Sequence, residues 1–291
     1  MSSTVIITII SLSILSIIAA VILYFVAQKF KVFEDPRIDD VQAILPAANC
    51  GGCGFAGCRN FAEALVAAET FEGLNCPVGG SSVMDAVAEL LGKTPVAVDP
   101  MVAVLLCNGS PEYRPYTSVY DGVADCRIQH SLYIGETDCS YGCLGNGDCV
   151  RACQFDAIYM DPITKLPVII DDKCTACGAC VKACPRNIIE LRKKAKKDRK
   201  IYVACSNCDK GGPARRACKV ACIACGKCFK VCEFDAIVIE NNLAYIDAAK
   251  CTFCRKCVTE CPTNSIIEVN FPPRKIKAEV QPEKVDNQTE L

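Results

Sequence analysis

The run Cys174-Thr-Ala-Cys177-Gly-Ala-Cys180-Val-Lys-Ala-Cys184-Pro185 decides the fold, and its spacing recurs in Cys251-Thr-Phe-Cys254-Arg-Lys-Cys257-Val-Thr-Glu-Cys261-Pro262. The pattern C-x2-C-x2-C-x3-C-P is typical of bacterial ferredoxins with two [4Fe–4S] clusters, in which the fourth cysteine ligates the neighbouring cluster. Zinc ribbons also use C-x2-C pairs, but they separate two such pairs by a spacer. The two runs therefore indicate iron–sulfur clusters.

Cysteine dominates the composition. The 291 residues include 25 cysteines, one histidine and no tryptophan, with a formal net charge of −1. The tight runs and the odd total argue against a disulfide framework, which suits small secreted domains. The near-neutral charge argues against a nucleic-acid binder that works by neutralising phosphates. A zinc-stabilised binding scaffold remains an alternative, which a colourless, iron-free protein would support.

The N-terminal segment predicts a membrane anchor. Residues 4–27 are uncharged and rich in Ile, Leu, Val and Ala, and about 24 helical residues span about 36 Å, enough to cross a bilayer. A cleaved signal peptide would need a basic start, a shorter apolar core and a small-residue cleavage site. Lys29 and Lys31 follow the span, so the positive-inside rule predicts a cytoplasmic C-terminal side and an outside N-terminus. We expect an uncleaved single span in the cytoplasmic (inner) membrane.

The segment after the anchor predicts a small helical [4Fe–4S] domain. Its cysteines follow the spacing C-x2-C-x4-C-x17-C. Glycines between them let the backbone bend tightly and direct amides toward a negatively charged cluster. Ser82-Val-Met-Asp85 predicts a capping box that opens a helix ending at Gly92. The predicted ligands of this first cluster are Cys50, Cys53, Cys58 and Cys76.

Beyond residue 137 the chain repeats itself. Residues 139–158 recur as residues 218–237, both ending in Phe-Asp-Ala-Ile, and a C-P run follows each. Such a repeat predicts a duplicated two-cluster ferredoxin, and the fold class is α+β. The predicted division is an anchor (1–28), an N-terminal 4Fe–4S domain (29–95), a β-rich connector (96–137), a first ferredoxin-like module (138–190), a basic linker (191–215), a second module (216–270) and a disordered tail (271–291).

The two-cluster pattern predicts the cysteines that share a cluster, because three cysteines of one run are joined by the last cysteine of the other. The first repeat matches the cysteine spacing less closely, since Asn146 stands where the second repeat has Cys225. Together with the N-terminal set, the prediction is five clusters. The four further sets are Cys139, Cys143, Cys149 and Cys184; Cys174, Cys177, Cys180 and Cys153; Cys222, Cys225, Cys228 and Cys261, with Cys218 as a candidate substitute; and Cys251, Cys254, Cys257 and Cys232.

Two features have more than one interpretation. The unassigned cysteines are either small buried hydrophobic residues or part of a sixth centre. The basic run Arg192–Lys200 is either a solvated linker or a docking surface for an acidic soluble electron carrier. His130 belongs to no ligand cluster. The unassigned cysteines are Cys107, Cys126, Cys205, Cys208 and Cys218.

The combination of these features resembles the B subunit of the Rnf (Rsx) electron-transport complexes. The resemblance covers residues 4–270. It rests on the anchor, Ile44-Leu-Pro46, the Cys50–Cys58 motif, Cys76-Pro77-Val-Gly-Gly80 and the tandem repeats. Two tandem ferredoxin units look like the long form of that protein.

The resemblance implies a role in a membrane complex that moves electrons between reduced ferredoxin and NAD, coupled to Na⁺ or H⁺ translocation. This chain would accept electrons from soluble ferredoxin and relay them through [4Fe–4S] clusters to membrane partner subunits. The sequence has no G-x-G-x-x-G unit, so hydride chemistry and ion pumping are expected in partners, and no catalytic residue is expected here. An iron–sulfur subunit of another membrane reductase, with a quinone or flavoprotein acceptor, is the alternative, and co-purifying subunits would discriminate.

Overall fold

The computed structural model describes residues 3–29, 35–97 and 99–273. Helix α1, Ser3–Lys29, contains a 24-residue apolar stretch that is long enough to cross a membrane and is exposed along its length. Its exposed Ile, Leu and Val side chains have no protein core to cover them, which fits a lipid surrounding. The predicted disordered tail lies mostly outside the described residues.

A three-helix domain follows, formed by α2 (Arg37–Ile44), α3 (Cys58–Ala67) and α4 (Gly80–Leu91). Phe61 and Leu65, one helical turn apart, are fully buried and share one face of α3; burying each such side chain stabilises the fold by about 1.5–3 kcal/mol. The predicted end of α4 is confirmed, because Gly92 adopts the left-handed conformation at φ 64°. The predicted capping box is wrong: α4 begins at Gly80, which places Ser82 inside the helix.

The first ferredoxin-like module contains two antiparallel strand pairs. Strand β1 (Met101–Leu105) pairs with β4 (Ile189–Lys193), and β2 (Ile158–Met160) forms a hairpin with β3 (Pro167–Ile169). Strand β1 falls in the segment predicted as a connector, but its pairing makes it the first strand of the module. The helices of this part are α5 (Cys126–Leu132), α6 (Asp148–Arg151) and α7 (Ala179–Ala183).

The second module repeats this arrangement. Strand β5 (Lys200–Val203) pairs with β8 (Ile266–Val269), and β6 (Ile237–Glu240) pairs with β7 (Leu243–Ile246). In each module the first and last strands are therefore hydrogen-bonded neighbours. The helices are α8 (Gly211–Ala217), α9 (Lys227–Val231) and α10 (Lys256–Glu260).

The basic run between the modules is partly buried instead of forming a solvated linker. Arg192, only 4% exposed, donates from Nη1 to the Ile246 carbonyl of the second module at 2.9 Å. Lys200, 8% exposed, pairs with Asp171 of the first module at 2.7 Å. These two cations therefore hold the modules together. A docking role stays a prediction for exposed members of the run such as Lys193.

Candidate iron–sulfur centres

Four equivalent turns position the cysteines of the two modules. Helices α6, α7, α9 and α10 each begin directly after a residue in the left-handed conformation, with φ between 68° and 77°. Such a turn points neighbouring backbone N–H groups into one concavity, which suits an anionic group. Glycine favours this conformation at three of the four positions. The four residues are Gly147, Gly178, Gly226 and Arg255.

Three of the predicted cysteine sets come together in the structure. Burial raises the pKa of Cys180 and Cys228 to about 11 and that of Cys257 to about 12, and thiols of their predicted partners add to each shift. Crowding of thiols in a buried pocket is expected where several thiolates share one metal centre. These sets are Cys153, Cys174, Cys177 and Cys180; Cys222, Cys225, Cys228 and Cys261; and Cys232, Cys251, Cys254 and Cys257.

The N-terminal set lies against the core of the three-helix domain. Cys53 and Cys58 pack on that core, and Cys76 is buried within it. Burial is the main cause that raises the pKa of Cys76, and the Cys53 and Cys50 thiols raise it further. The backbone N–H of Gly79 donates to Cys76 Sγ at 3.3 Å, a contact that also stabilises a thiolate bound to a cluster.

The remaining turn lacks a cysteine at one position. Asn146 precedes Gly147 where Cys177, Cys225 and Cys254 precede the other three left-handed residues. Cys126, at the start of α5, lines a small cavity at this turn together with Cys143, Cys149 and Cys184. Cys126 was not among the predicted ligands. The sequence feature that could have indicated a ligand from elsewhere was the missing cysteine at position 146.

Other contacts fix Cys126 beside the remaining thiols of this turn. Its backbone N–H donates to both carboxylate oxygens of Asp148 at 3.0 Å. Burial raises the pKa of Cys149 to about 12, and the Cys126 and Cys184 thiols contribute to the shift. Helix α5 begins here because the Asp125 side chain accepts hydrogen bonds from the next turn, as an N-cap residue does.

Cys139, predicted as a ligand of this set, faces a different group of residues. Its Sγ accepts a hydrogen bond from Asn207 Nδ2 at 3.6 Å, across the boundary between the modules. The Cys139 and Cys107 thiols contribute to the raised pKa of Cys218, after burial as the main cause. The structure therefore joins Cys139 with cysteines that the sequence left unassigned.

The thiol sets do not have the geometry of a closed zinc site. Within residues 3–29, 35–97 and 99–273, no three His, Cys, Asp or Glu side chains approach closely enough to hold one metal ion. Four thiolates on one zinc lie about 2.3 Å from the metal and hence close together.

The N-terminal centre touches the first module at a glycine. A Cβ atom on Gly52 would lie 2.9 Å from the Cys177 carbonyl oxygen and 3.0 Å from its Cα. Gly52 thus lets the backbone beside Cys53 approach the backbone of a predicted cluster ligand. The two centres are direct neighbours in the fold.

Three family models match the cysteine-rich regions. A model for an Fe-S cluster matches residues 45–78. A 4Fe-4S binding domain matches residues 167–190, and a 4Fe-4S dicluster domain matches residues 221–265. These matches fall in the N-terminal domain, in the second half of the first module and in the second module, and they favour iron–sulfur clusters over zinc.

Curated relatives extend the similarity to most of the chain. The B subunit of the Na⁺-translocating ferredoxin:NAD⁺ oxidoreductase complex of Acetobacterium woodii is 44% identical over 88% of this chain and 75% of its own length. The B subunit of the proton-translocating ferredoxin:NAD⁺ oxidoreductase complex of Clostridium ljungdahlii is 40% identical over 91% and 92% of the two chains. The B subunit of the ion-translocating oxidoreductase complex of Methanosarcina acetivorans is 40% identical over 91% and 99%. With its tandem 4Fe–4S modules and N-terminal apolar helix, the chain belongs to the B-subunit family of the ion-translocating (Rnf) oxidoreductase complexes.

Proposed function

We propose that this chain is the electron-transfer subunit of a membrane complex that moves electrons between reduced ferredoxin and NAD and couples this flow to Na⁺ or H⁺ translocation. It accepts electrons from soluble ferredoxin and relays them to membrane partner subunits. The observation that carries the proposal is the series of cysteine sets along the chain, with the N-terminal set, in the domain that follows the membrane-length helix, packed against the first module at Gly52. The reactions named for two of the relatives support the proposal.

The contacts support a revised set of ligands for five [4Fe–4S] clusters. Four sets remain as predicted from the sequence. In the first cluster of the first module, Cys126 replaces Cys139, because Cys126, and not Cys139, lines the cavity at which Cys143, Cys149 and Cys184 meet. The revised set is Cys126, Cys143, Cys149 and Cys184.

The chain's own residues fix, insulate and tune the centres. A bound [4Fe–4S] cluster supplies one-electron transfer, at a potential set by hydrogen bonds to the sulfurs and by solvent exposure. Cys thiolates hold the iron, and backbone N–H groups such as that of Gly79 donate to the sulfurs. Buried aliphatic side chains such as Ile237 and Ile246 exclude water from the second module.

The N-terminal cluster is the proposed exit toward the membrane partners. It lies in the domain that directly follows α1 along the chain, and Lys29 and Lys31 favour a cytoplasmic position for this domain by the positive-inside rule. Ferredoxin then delivers electrons to the modules, and the N-terminal domain passes them on.

A Cys53→Ser substitution tests this direction in the intact complex. In anaerobic membrane vesicles, we expect ferredoxin still to reduce the clusters of the two modules, while ferredoxin-dependent NAD reduction is abolished. EPR and NADH absorbance measure the two steps. Cys208→Ser changes none of the proposed ligands and is the control. We expect it to retain both cluster reduction and NADH formation. Loss of cluster reduction together with NADH formation in Cys53→Ser would contradict the assigned exit.

A Gly52→Ala substitution tests the contact between the N-terminal domain and the first module. The new Cβ would overlap the Cys177 backbone, and such overpacking costs about 1–3 kcal/mol. We expect slower ferredoxin-dependent NAD reduction with an unchanged iron content. Gly212→Ala, where a Cβ meets open space, should change neither. An unchanged rate in Gly52→Ala would remove this contact from the electron path.

A further inference from the structure

We infer that Cys107, Cys139, Cys205 and Cys218 hold a sixth [4Fe–4S] cluster at the boundary between the two ferredoxin-like modules. Each module supplies two of the four thiols. Cys107 follows β1 by two residues and Cys205 follows β5 by two residues, and Cys139 and Cys218 open the two repeats. The site therefore lies where equivalent segments of the two modules meet.

The backbone holds the segments after β1 and β5 side by side. The Asn108 N–H donates to the Ala204 carbonyl at 3.0 Å. In the opposite direction, Ser206 Oγ donates to the Leu106 carbonyl at 2.9 Å. These two hydrogen bonds flank Cys107 and Cys205, and so they bring one thiol from each module to the boundary.

The other two thiols reach the same place. Asn207 is 1% exposed, and its Nδ2 donates to Cys139 Sγ at 3.6 Å. Cys218 is 6% exposed and belongs to a small buried cluster against which Cys205 packs. A Cβ on Gly109 would lie 3.3 Å from Cys218 Sγ, so a glycine two residues after Cys107 makes room for the Cys218 thiol.

Two arginine side chains with buried N–H groups that find no acceptor among the described residues provide an independent indication of an anionic group here. Arg114 is 9% exposed, and its Nε has no hydrogen-bond partner among the described residues. Its Nη2 donates to the Cys143 carbonyl at 2.7 Å, and its side chain lies against Gly109 beside Cys218. Leaving a buried charged group unpaired is costly, and a cluster held by four thiolates supplies negative charge.

Arg186 repeats this observation on the other side of Cys139. Its Nε and Nη1 are buried and have no hydrogen-bond partner in the described part of the chain. Its Nη2 donates to the Ile134 carbonyl, so the guanidinium is only partly satisfied, and the Cys139 and Cys184 thiols lie nearby. Arg186 thus lies between the proposed sixth site and the Cys184 set, where negative charge on either would stabilise it.

The sixth set also accounts for the number of cysteines. Six sets of four use all but one of the 25 cysteines. The remaining one, Cys208, donates a weak hydrogen bond from its Sγ to the Ser206 carbonyl at 3.7 Å, as a protonated thiol does. Although Cys205 and Cys208 have C-x2-C spacing, it is Cys205 that packs against the buried cluster around Cys218.

A cluster at this boundary would connect the two modules. Cys107 and Cys143 both pack on the core of the first module. Cys205 and Cys222 both pack in the core of the second. Cys143 and Cys222 are ligands of the first cluster in each module. The sixth site goes beyond the five-cluster proposal, because its occupancy does not depend on which redox partners the complex uses.

Iron content of the full-length chain tests the site. After anaerobic reconstitution with iron and sulfide, six clusters give about 24 irons per chain and five give about 20. We expect about 24 for the unsubstituted chain and for Cys208→Ser. The double variant Cys107→Ser, Cys218→Ser should fall to about 20 while keeping the EPR signals of the other clusters. About 20 irons in all three chains would overturn the inference.

Native mass spectrometry of the unsubstituted chain gives the same answer without a substitution. It counts bound clusters as discrete mass steps, so a misfolded variant cannot confuse the result. A fully loaded species with six clusters supports the site, and a maximum of five contradicts it. Five clusters would leave the proposed electron-transfer function intact, whereas an iron-free protein would overturn that function as well.

Discussion

A Cys126→Ser chain is expected to lose about four irons per molecule, and adding Asn146→Cys should restore them. The physical reason is that Asn146 stands at the position of Cys177 and Cys225, while Cys126 lines the cavity that the other three thiols of the set share. A cysteine at position 146 would supply a thiol to the same turn from the position that cysteine holds in the other three turns. Iron and sulfide analysis after anaerobic reconstitution measures the effect.

The comparison with Cys139→Ser separates the two ligand assignments. If Cys139 were the fourth ligand of this cluster, Asn146→Cys would compensate for the loss of Cys139. We expect it to rescue Cys126→Ser alone, because Cys139 contacts Asn207 in the second module. An unchanged iron content in Cys126→Ser, or rescue of Cys139→Ser by Asn146→Cys, would refute the revised set.

Replacing Arg192 with methionine is expected to lower the free energy of unfolding by about 3 kcal/mol. Arg192 lies over the rings of Tyr202 and Tyr245, 5.7 Å and 4.9 Å from their centres, and its Nε lies 3.3 Å from the Glu190 carboxylate. Its hydrogen bond to Ile246 joins the two modules. Methionine keeps much of the apolar contact but leaves the carbonyl and carboxylate without the cation.

Lys193 provides a matched control on the same strand. Its ammonium pairs with Asp99 at 2.5 Å, but both side chains are more than half exposed, and such surface pairs contribute about 0–1 kcal/mol. Anaerobic guanidinium denaturation, followed by circular dichroism and cluster absorbance, should show a clear decrease for Arg192→Met and almost none for Lys193→Ala. Equal effects would mean that charge in this run, and not the buried contact, stabilises the protein.

Local spacing predicted the parts of the site that lie close together in the sequence. The C-x2-C-x2-C-x3-C-P runs fix their own turns, because a left-handed residue, Gly178 or Arg255, follows the second cysteine. The sequence also showed that Asn146 departs from this pattern. It did not show that Cys126 takes the place of the missing cysteine, since Cys126 reaches the turn only through the packing of α5 and its contact with Asp148.

Long-range pairing limited the prediction of the fold. Residues around Val104 have the composition of a strand, but only the hydrogen-bonded register with Glu190 shows that β1 belongs to the first module. The basic run was misleading for a similar reason. Charged residues are usually solvated, and Arg192 is buried only because the second module supplies a carbonyl and two aromatic rings.

The pairing of first and last strands has an evolutionary consequence. Because β1 pairs with β4 and β5 with β8, the chain enters and leaves each unit at one place. A gene segment that encodes such a unit can be copied in tandem without moving the flanking parts of the protein. Once side chains such as Arg192 and Asn207 bridge the two copies, selection acts on the pair, and neither copy can be deleted or diverge alone.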